Sequence, residues 1–380
     1  MNPAPLRPPA ILQFGTSRFL LAHADLFISE AMERGEALGP IAVVQTTSSA
    51  ESADRIAALR QSPVYPVRIR GIDQGRTIDE ERTGSAIVQA LTAAEDWQEI
   101  LELGATVQAI ISNTGDRGYD LDPSDDAALL SDPTRVPKSF PAKMAILLAH
   151  RFKAIPQAPL SIFPCELVPQ NGSRLRTLIE QLAMEWDLPV EFRNWLYTGC
   201  HFANSLVDRI VAEPISPVGA VAEPYALWAI QAQEGLVLPC RHPAIVVTDD
   251  LERYEMLKLH LLNLGHTMLA EHWLTNGRAP EETVREAMDD QAMRDELEAV
   301  WHEEVLPVFK ADGMADEAAL YIDSVRDRFR NPFLRHRLSD IAANHDEKKR
   351  RRLLPMVTRA ADLGLAIPQL RLKAALARIE

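Results

Sequence analysis

The stretch Ala10-Ile-Leu-Gln-Phe-Gly-Thr-Ser-Arg-Phe-Leu-Leu-Ala-His23 decides the fold. A short apolar run stops at Gly15, and helical spacing follows from Ala22 to Arg34. A second run, Ile41-Ala-Val-Val44, ends in the polar residues Gln45-Thr-Thr-Ser-Ser49. Val107-Gln-Ala-Ile-Ile111 and Leu160-Ser-Ile-Phe163 repeat the pattern, ending at Ser112-Asn-Thr114 and Pro164-Cys165. Buried strands that alternate with helices and end in small polar residues predict a parallel sheet with a ligand at its C-terminal edge. Beyond about residue 245 helical periodicity dominates, with helices expected near 250–275, 281–300, 314–328, 334–344 and 347–363. The fold class is therefore α/β. A Rossmann-like domain is expected over 1–245 and a mainly α-helical domain over 246–380, with Pro239 to Pro243 as linker and the active site between the domains.

The 380 residues suffice for two cores, and 47% hydrophobic with 25% charged residues is ordinary for a soluble protein. A net charge of -14 argues against nucleic acid or an anionic membrane as partner. The basic run Lys348-Lys-Arg-Arg-Arg352 reads as a solvated helix face, or as one turning some of its cations into an anionic substrate site. Cys165, Cys200 and Cys240 are too scattered for a disulfide framework, and no ligand spacing suggests a metal. The N-terminal residues show no leader-like apolar run, and no segment has ~18 uninterrupted apolar residues. The expectation is a cytoplasmic enzyme of small molecules, monomeric or dimeric.

Gly15-Thr-Ser17 begins a degenerate GxGxxG turn, with Ser17 where the second glycine would stand. With a strand before it and a helix after it, this turn predicts a dinucleotide whose pyrophosphate meets Gly15, Ser17, Arg18 and Phe19. The acid expected after the second strand is replaced by Gln45, and the nearest arginine is Arg55. The choice between NAD and NADP stays open, with NAD slightly favoured.

A second stretch carries chemistry: Tyr254-Glu-Met-Leu-Lys-Leu-His-Leu-Leu-Asn-Leu-Gly-His266. Its leucines read as a buried helix. At about 100° per residue, Asn263 lies ~140° and His266 ~80° from Lys258, so all three share one broad side. Such polar groups are costly on a buried helix unless paired or used. A desolvated lysine of lowered pKa can take an alcohol proton, the asparagine amide can donate to a developing alkoxide, and the histidine can orient the oxygen. The alternative is a core helix whose polar groups are satisfied structurally. His260 points away from His266, so no imidazole pair is expected between them.

The Lys258…Asn263…His266 spacing resembles the catalytic Lys-x4-Asn-x2-His motif of the polyol-specific long-chain dehydrogenases, the mannitol dehydrogenase family. Pro164-Cys-Glu-Leu-Val-Pro-Gln-Asn-Gly172, Asn204-Ser-Leu-Val-Asp-Arg-Ile210, Ser139-Phe-Pro-Ala-Lys143 and Arg328-Phe-Arg-Asn-Pro332 are similar to other blocks of that family. The resemblance runs from about Ile11 to about Pro355. Within the family the tagaturonate reductase, or altronate oxidoreductase, branch looks most similar, through Ser112-Asn-Thr114, Cys165-Glu-Leu167, Glu223-Pro-Tyr-Ala-Leu-Trp228 and Thr248-Asp-Asp250.

The resemblance implies metal-independent, NAD(P)-dependent interconversion of a polyol or aldonate with a ketose or keto-hexuronate. It gives Lys258 as general acid/base, Asn263 as the group polarising the C–O bond and His266 as the positioning group. It places Lys348 at the family's substrate-lysine position. With Arg352 one turn on, a hexuronate carboxylate is the expected ligand; a surface cation is the other reading of Arg352. The mannitol branch has an asparagine where Leu167 stands and an arginine where Asp340 stands. Asn171 and Asn204 are the candidates for the missing donor. Ser112 and Asn113 should border the nicotinamide. Glu255 is either a proton relay or a surface partner, Asp208 and Arg209 look architectural, and His23 and Asp25 are expected on a helix surface. The competing functions are a dehydrogenase of neutral polyols such as mannitol or arabinitol, and a dinucleotide-sensing protein without turnover.

Overall fold

In a computed structural model, residues 7–379 other than Ser48 and Asp116 are described. The N-terminal reading and Ser48 of the polar 45–49 run thus fall outside the described residues. By their internal contacts the residues form two compact units. The first comprises residues up to Arg68, Glu81–Ala222 and Ala226–Leu251; the second comprises Ile69–Glu80, Glu223–Tyr225 and Glu252–Glu380.

The first unit is organised on six parallel strands: β1 (Ile11–Phe14), β2 (Ile41–Gln45), β3 (Ile87–Thr92), β4 (Ala109–Ser112), β5 (Leu160–Pro164) and β6 (Cys200–Phe202). Their spatial order is β3-β2-β1-β4-β5-β6, the doubly wound order whose direction reverses between the first and fourth strands. β1, β2, β4 and β5 are buried along their whole length. This is why they read as unbroken apolar runs rather than as alternating ones. One face carries the helices Trp97–Thr106, Phe140–Ala154, Asn171–Glu185 and Val190–Thr198, packed on Leu12, Val44, Ile110 and Ile162.

Three features escaped the sequence reading. Strands Tyr65–Asp73 and Arg76–Gly84 form a hairpin closed at Gln74-Gly75, both with positive φ; the first alternates in burial, while the second is mostly exposed and charged. Ser205–Asp208, Leu227–Gln231 and Ile245–Thr248 make a separate three-stranded sheet. The segment expected as a linker is bound to the first unit instead: Leu38 donates to the Pro239 carbonyl at 3.0 Å, and Arg241 donates to Glu36 at 3.0 Å.

The second unit is mainly helical. A continuous helix over 251–275 is surrounded by Val284–Asp289, Gln291–Ala299, Leu306–Ala311, Ala315–Phe329, His345–Arg352, Leu354–Asp362 and Leu370–Leu376. Its core is Leu261, Leu264, Leu269, Trp301, Phe309, Val325 and their neighbours. Among the described residues no helix is long and apolar enough to cross a membrane.

Candidate active site

The helix bearing Lys258 is not uniformly α. Leu251–Leu257 and Leu264–Thr275 are α-helical, but Lys258–Asn263 between them is a π-turn. The Leu264 N–H reaches back five residues to the Leu259 carbonyl as well as to Leu261. An i→i+5 pattern widens the turn to ~4.4 residues, or ~82° per residue, which puts Asn263 ~50° and His266 ~10° from Lys258. The broad side expected from α spacing is thereby narrowed to a stripe.

The widened turn is held from outside. Trp301, within a second π-turn Val300–Val305, donates its indole N–H to the Leu261 carbonyl at 3.2 Å. The Asn263 carbonyl accepts from Thr267 Oγ1 at 2.9 Å and from Arg352 Nη1 at 3.2 Å, and Arg352 Nη1 also meets Thr267 Oγ1 at 3.0 Å. His260 turns to the Arg352 carbonyl at 2.9 Å.

Lys258 and Asn263 are half-buried, while His266 is buried. The side-chain amide of Asn263 has no hydrogen-bond partner among the described residues. The His266 ring lies between Phe329, with centroids 4.3 Å apart, and His336, at 4.8 Å in a T-shaped contact. Burial first, then His336, Arg328, Arg352 and Lys348, push its pKa well below the usual histidine range. It is therefore neutral, and suited to hydrogen bonding an oxygen without adding charge.

The basic run is divided by its helix. Lys349 is buried and meets Glu271 at 3.4 Å and Asp346 at 3.1 Å; Arg350 and Arg351 are exposed. Lys348 and Arg352, four apart and thus on one face, are half-buried. Lys348 Nζ donates to the Ile341 carbonyl at 2.8 Å. Among the described residues neither cation has a carboxylate within ion-pair distance. Burial, then Arg352, lowers the Lys348 pKa; burial, then Arg351, lowers that of Arg352 to about 10. By contrast the neighbouring buried cation Arg328 is matched by Glu223, at 2.8 and 3.0 Å, and lies over the Tyr225 ring. Glu255 is half-buried with its pKa raised, by burial and then by Glu252.

In the first unit, Gly15 and Asn113 follow β1 and β4, the strands at which the sheet order reverses. Gly15 has φ +114°, and a Cβ there would stand 2.5 Å from the Asn113 carbonyl oxygen. Ser17 accepts from Leu20 N at 3.2 Å and donates to Asn113 Oδ1 at 3.1 Å; Asn113 Nδ2 donates to the Cys165 carbonyl at 2.8 Å. Arg18 is exposed, and Phe19 stacks on His23. Gln45 is buried at the end of β2, with Oε1 lacking a partner. Arg55 is already occupied, donating to the Thr16 carbonyl and pairing with Glu51 at 2.6 Å. A Cβ-free turn at the strand switch point, beside an orphaned amide oxygen, fits a dinucleotide. The helix expected from Ala22 to Arg34 is Ala24–Glu33, and a separate single turn, Arg18–Leu21, precedes it.

Several expectations are corrected. The Asn171 amide is saturated internally, donating to the carbonyls of Pro164, Glu166 and Ser205 and accepting from Gly172 and Ser205. It ties β5 to the 204–205 segment rather than facing a substrate. Asn204 likewise gives its amide hydrogens to Ser173 at 3.1 Å and Gln231 at 2.8 Å. His23 and Asp25 are completely buried: the Leu227–Gln231 strand covers His23, which meets the Leu227 carbonyl at 3.1 Å and the Trp228 ring, while Asp25 accepts from Gln13 Nε2 of β1 at 3.2 Å. Arg209 donates to the Ala22 carbonyl at 2.7 Å, as an architectural residue should. Two polar centres were missed. His336 is one. The other is Glu166, buried and bonded by Ser112, Thr114 and Tyr119, whose acceptance of those donors fixes the loop after β4. The signal for Glu166 in the sequence is a carboxylate directly after an apolar strand end, where a buried polar group must find donors.

A doubly wound dinucleotide-type sheet joined in one chain to a helical unit with a lysine, an asparagine and a neutral histidine on one helix stripe defines a dehydrogenase. Family models agree: the mannitol dehydrogenase Rossmann domain matches residues 9–237, and the mannitol dehydrogenase C-terminal domain matches 250–378. The chain belongs to the mannitol dehydrogenase family, oxidoreductases acting on secondary alcohols and dependent on a nicotinamide dinucleotide. Similar curated relatives are an altronate oxidoreductase of Halalkalibacterium halodurans, 33% identical over 92% of this chain and 70% of its own length, and one of Bacillus subtilis, 30% identical over 95% and 77%. Among solved structures, a D-sorbitol dehydrogenase in substrate-free form aligns with TM-score 0.83 at 22% identity, covering 99% of this chain and 82% of that one. Mannitol 2-dehydrogenase of Pseudomonas fluorescens, in a ternary complex with NAD and D-mannitol, aligns with TM-score 0.73 at 22% identity, covering 98% and 79%. These two show the likeness of fold.

Proposed function

We propose that the protein interconverts a keto-hexuronate of the tagaturonate or fructuronate type and its aldonate. The observation that carries this reading is the pair Lys348 and Arg352: two half-buried cations on one helix face, without a carboxylate partner among the described residues, in a chain of net charge -14. Partly desolvated cations without a countercharge are costly, and a substrate carboxylate supplies what is missing. The altronate oxidoreductase relatives support the same substrate class.

Lys258 gives its proton to the carbonyl oxygen in reduction and takes it back in oxidation. The Asn263 amide donates to the same oxygen as it gains charge. Neutral His266, held between Phe329 and His336, positions that oxygen. Gly15, Ser17, Arg18, Phe19, Gln45, Ser112 and Asn113 would hold the nicotinamide dinucleotide, which supplies the hydride carrier when bound. NAD is the preferred form in this reading: Arg55, the nearest candidate for a 2′-phosphate, is committed to Thr16 and Glu51.

The test is reduction of tagaturonate, fructuronate and fructose, followed by loss of NADH or NADPH. Turnover of a keto-hexuronate with NADH supports the proposal. Turnover of fructose alone assigns the protein to neutral polyols and removes the carboxylate role from Lys348 and Arg352.

A further inference from the structure

The sequence reading gave His336 no role, yet it borders the residues on which the proposed chemistry depends. Its backbone is fixed. The His336 carbonyl accepts from Val284 N at 2.8 Å, Arg337 bridges Thr283, and Leu338 N donates to the Glu282 carbonyl at 2.9 Å. The side chain is half-buried against the ring of His266. Lys348, on the helix His345–Arg352, acts on it electrostatically, as does Asp340 from the short helix Leu338–Ile341. Glu282, on the bridging segment, is engaged by Arg278 at 2.7 Å. The charges facing His336 are thus Asp340 and Lys348, with neutral His266 as its third titratable neighbour.

We propose that His336 is a specificity-determining residue that completes, with Lys348 and Arg352, the subsite for the substrate's carboxylate. This deepens the proposed function and rests on it. An imidazole is suited to the task because its charge follows that of its surroundings. In the free protein, burial chiefly, and Lys348 after it, hold the His336 pKa below the usual histidine value, against the pull of Asp340. A carboxylate placed between Lys348 and His336 reverses the balance, because an opposite charge within ~4–6 Å favours the imidazolium. Binding of an anionic substrate then takes up a proton at His336; a neutral ketose induces none. The immediate consequence is a KM for keto-hexuronate that rises between pH 6 and 8, while the KM for a neutral ketose keeps a flatter profile.

The experiment compares kcat/KM for tagaturonate and fructose between pH 6 and 8, in the wild type, His336→Ala and His336→Gln. Thermal melting serves as the folding control. The tagaturonate-to-fructose ratio should fall about tenfold in His336→Ala, the worth of one charge-assisted hydrogen bond. His336→Gln, which keeps a donor but does not titrate, should recover part of the ratio while losing the pH dependence of the tagaturonate KM. An equal loss on both substrates would make His336 only a prop for the His266 ring and overturn the inference. So would an unchanged ratio. If the wild type reduces tagaturonate and the ratio does not move, the inference alone fails. If the wild type reduces neither tagaturonate nor fructuronate, the proposed function fails and takes this inference with it.

Discussion

Replacing Arg352 by methionine tests the carboxylate reading, and the structure sets the size of the effect. The guanidinium is half-buried, and its pKa, lowered to about 10, still leaves it charged at neutral pH. Its Nη1 is used inside the protein, on the Asn263 carbonyl and Thr267 Oγ1. Removing that contact does not orphan the Asn263 carbonyl, because Thr267 Oγ1 remains on it at 2.9 Å. The internal loss should therefore be near ~1 kcal/mol, a few-fold effect felt by every substrate alike. Loss of a charge-assisted bond to a bound carboxylate adds ~1.5–3 kcal/mol, or about ten- to a hundredfold, felt by the uronate alone. The assay is steady-state reduction of tagaturonate and fructose by Arg352→Met beside the wild type. The uronate kcat/KM should fall about 30-fold or more, and that of fructose only a few-fold. If the two fall by the same factor, Arg352 is a cap on the π-turn and nothing more.

Lys258→Met should lower kcat for ketone reduction by about 10²–10⁴, and a loss of only a few-fold would remove Lys258 as the proton donor. Gln45→Asp should raise the KM for NADPH relative to NADH by placing a carboxylate near a 2′-phosphate; an unchanged ratio takes Gln45 out of coenzyme choice. Asp25 gives a pH dependence of stability. Burial, opposed by the Gln13 hydrogen bond, raises its pKa from 3.8 to about 7, so between those values the folded state holds a proton that the unfolded state has lost. Stability should fall as pH rises through that window, and Asp25→Asn should melt with a shallower slope between pH 5 and 7.5; an identical slope in the variant would refute the assignment.

The Rossmann-type sheet was legible because β1, β2, β4 and β5 are buried on both sides and their sequences say so. Cys200–Phe202 has only three residues, and the Arg76–Gly84 strand is mostly exposed and charged. Neither offers enough apolar pattern to find. At the site, residue identity and spacing could place Lys258, Asn263 and His266 on one helix, and that helix is present. Local spacing cannot report what arrives from elsewhere in the chain. Asn171 and Asn204 looked like donors until their amides met Pro164, Ser205 and Gln231. His336 could not be paired with a ring 70 residues earlier. The π-turn is invisible to any count that assumes 100° per residue, since the residues within it are ordinary helix formers.

That turn also gives the helix something to keep besides its shape. An extra residue in a helix behaves like a wrinkle in a carpet. Moved along by one turn, it leaves every bond type intact but rotates the side chains it has passed by ~100°. Trp301 and Arg352 grip the wrinkle at two carbonyls, Leu261 and Asn263, and so keep it between Lys258 and His266. A related chain with one residue fewer here would lie flat and still present both groups on one side, seven apart; with two fewer it would turn one of them away by ~100°. What is stored in this segment is a length as much as a set of side chains, and substitution alone would never expose it.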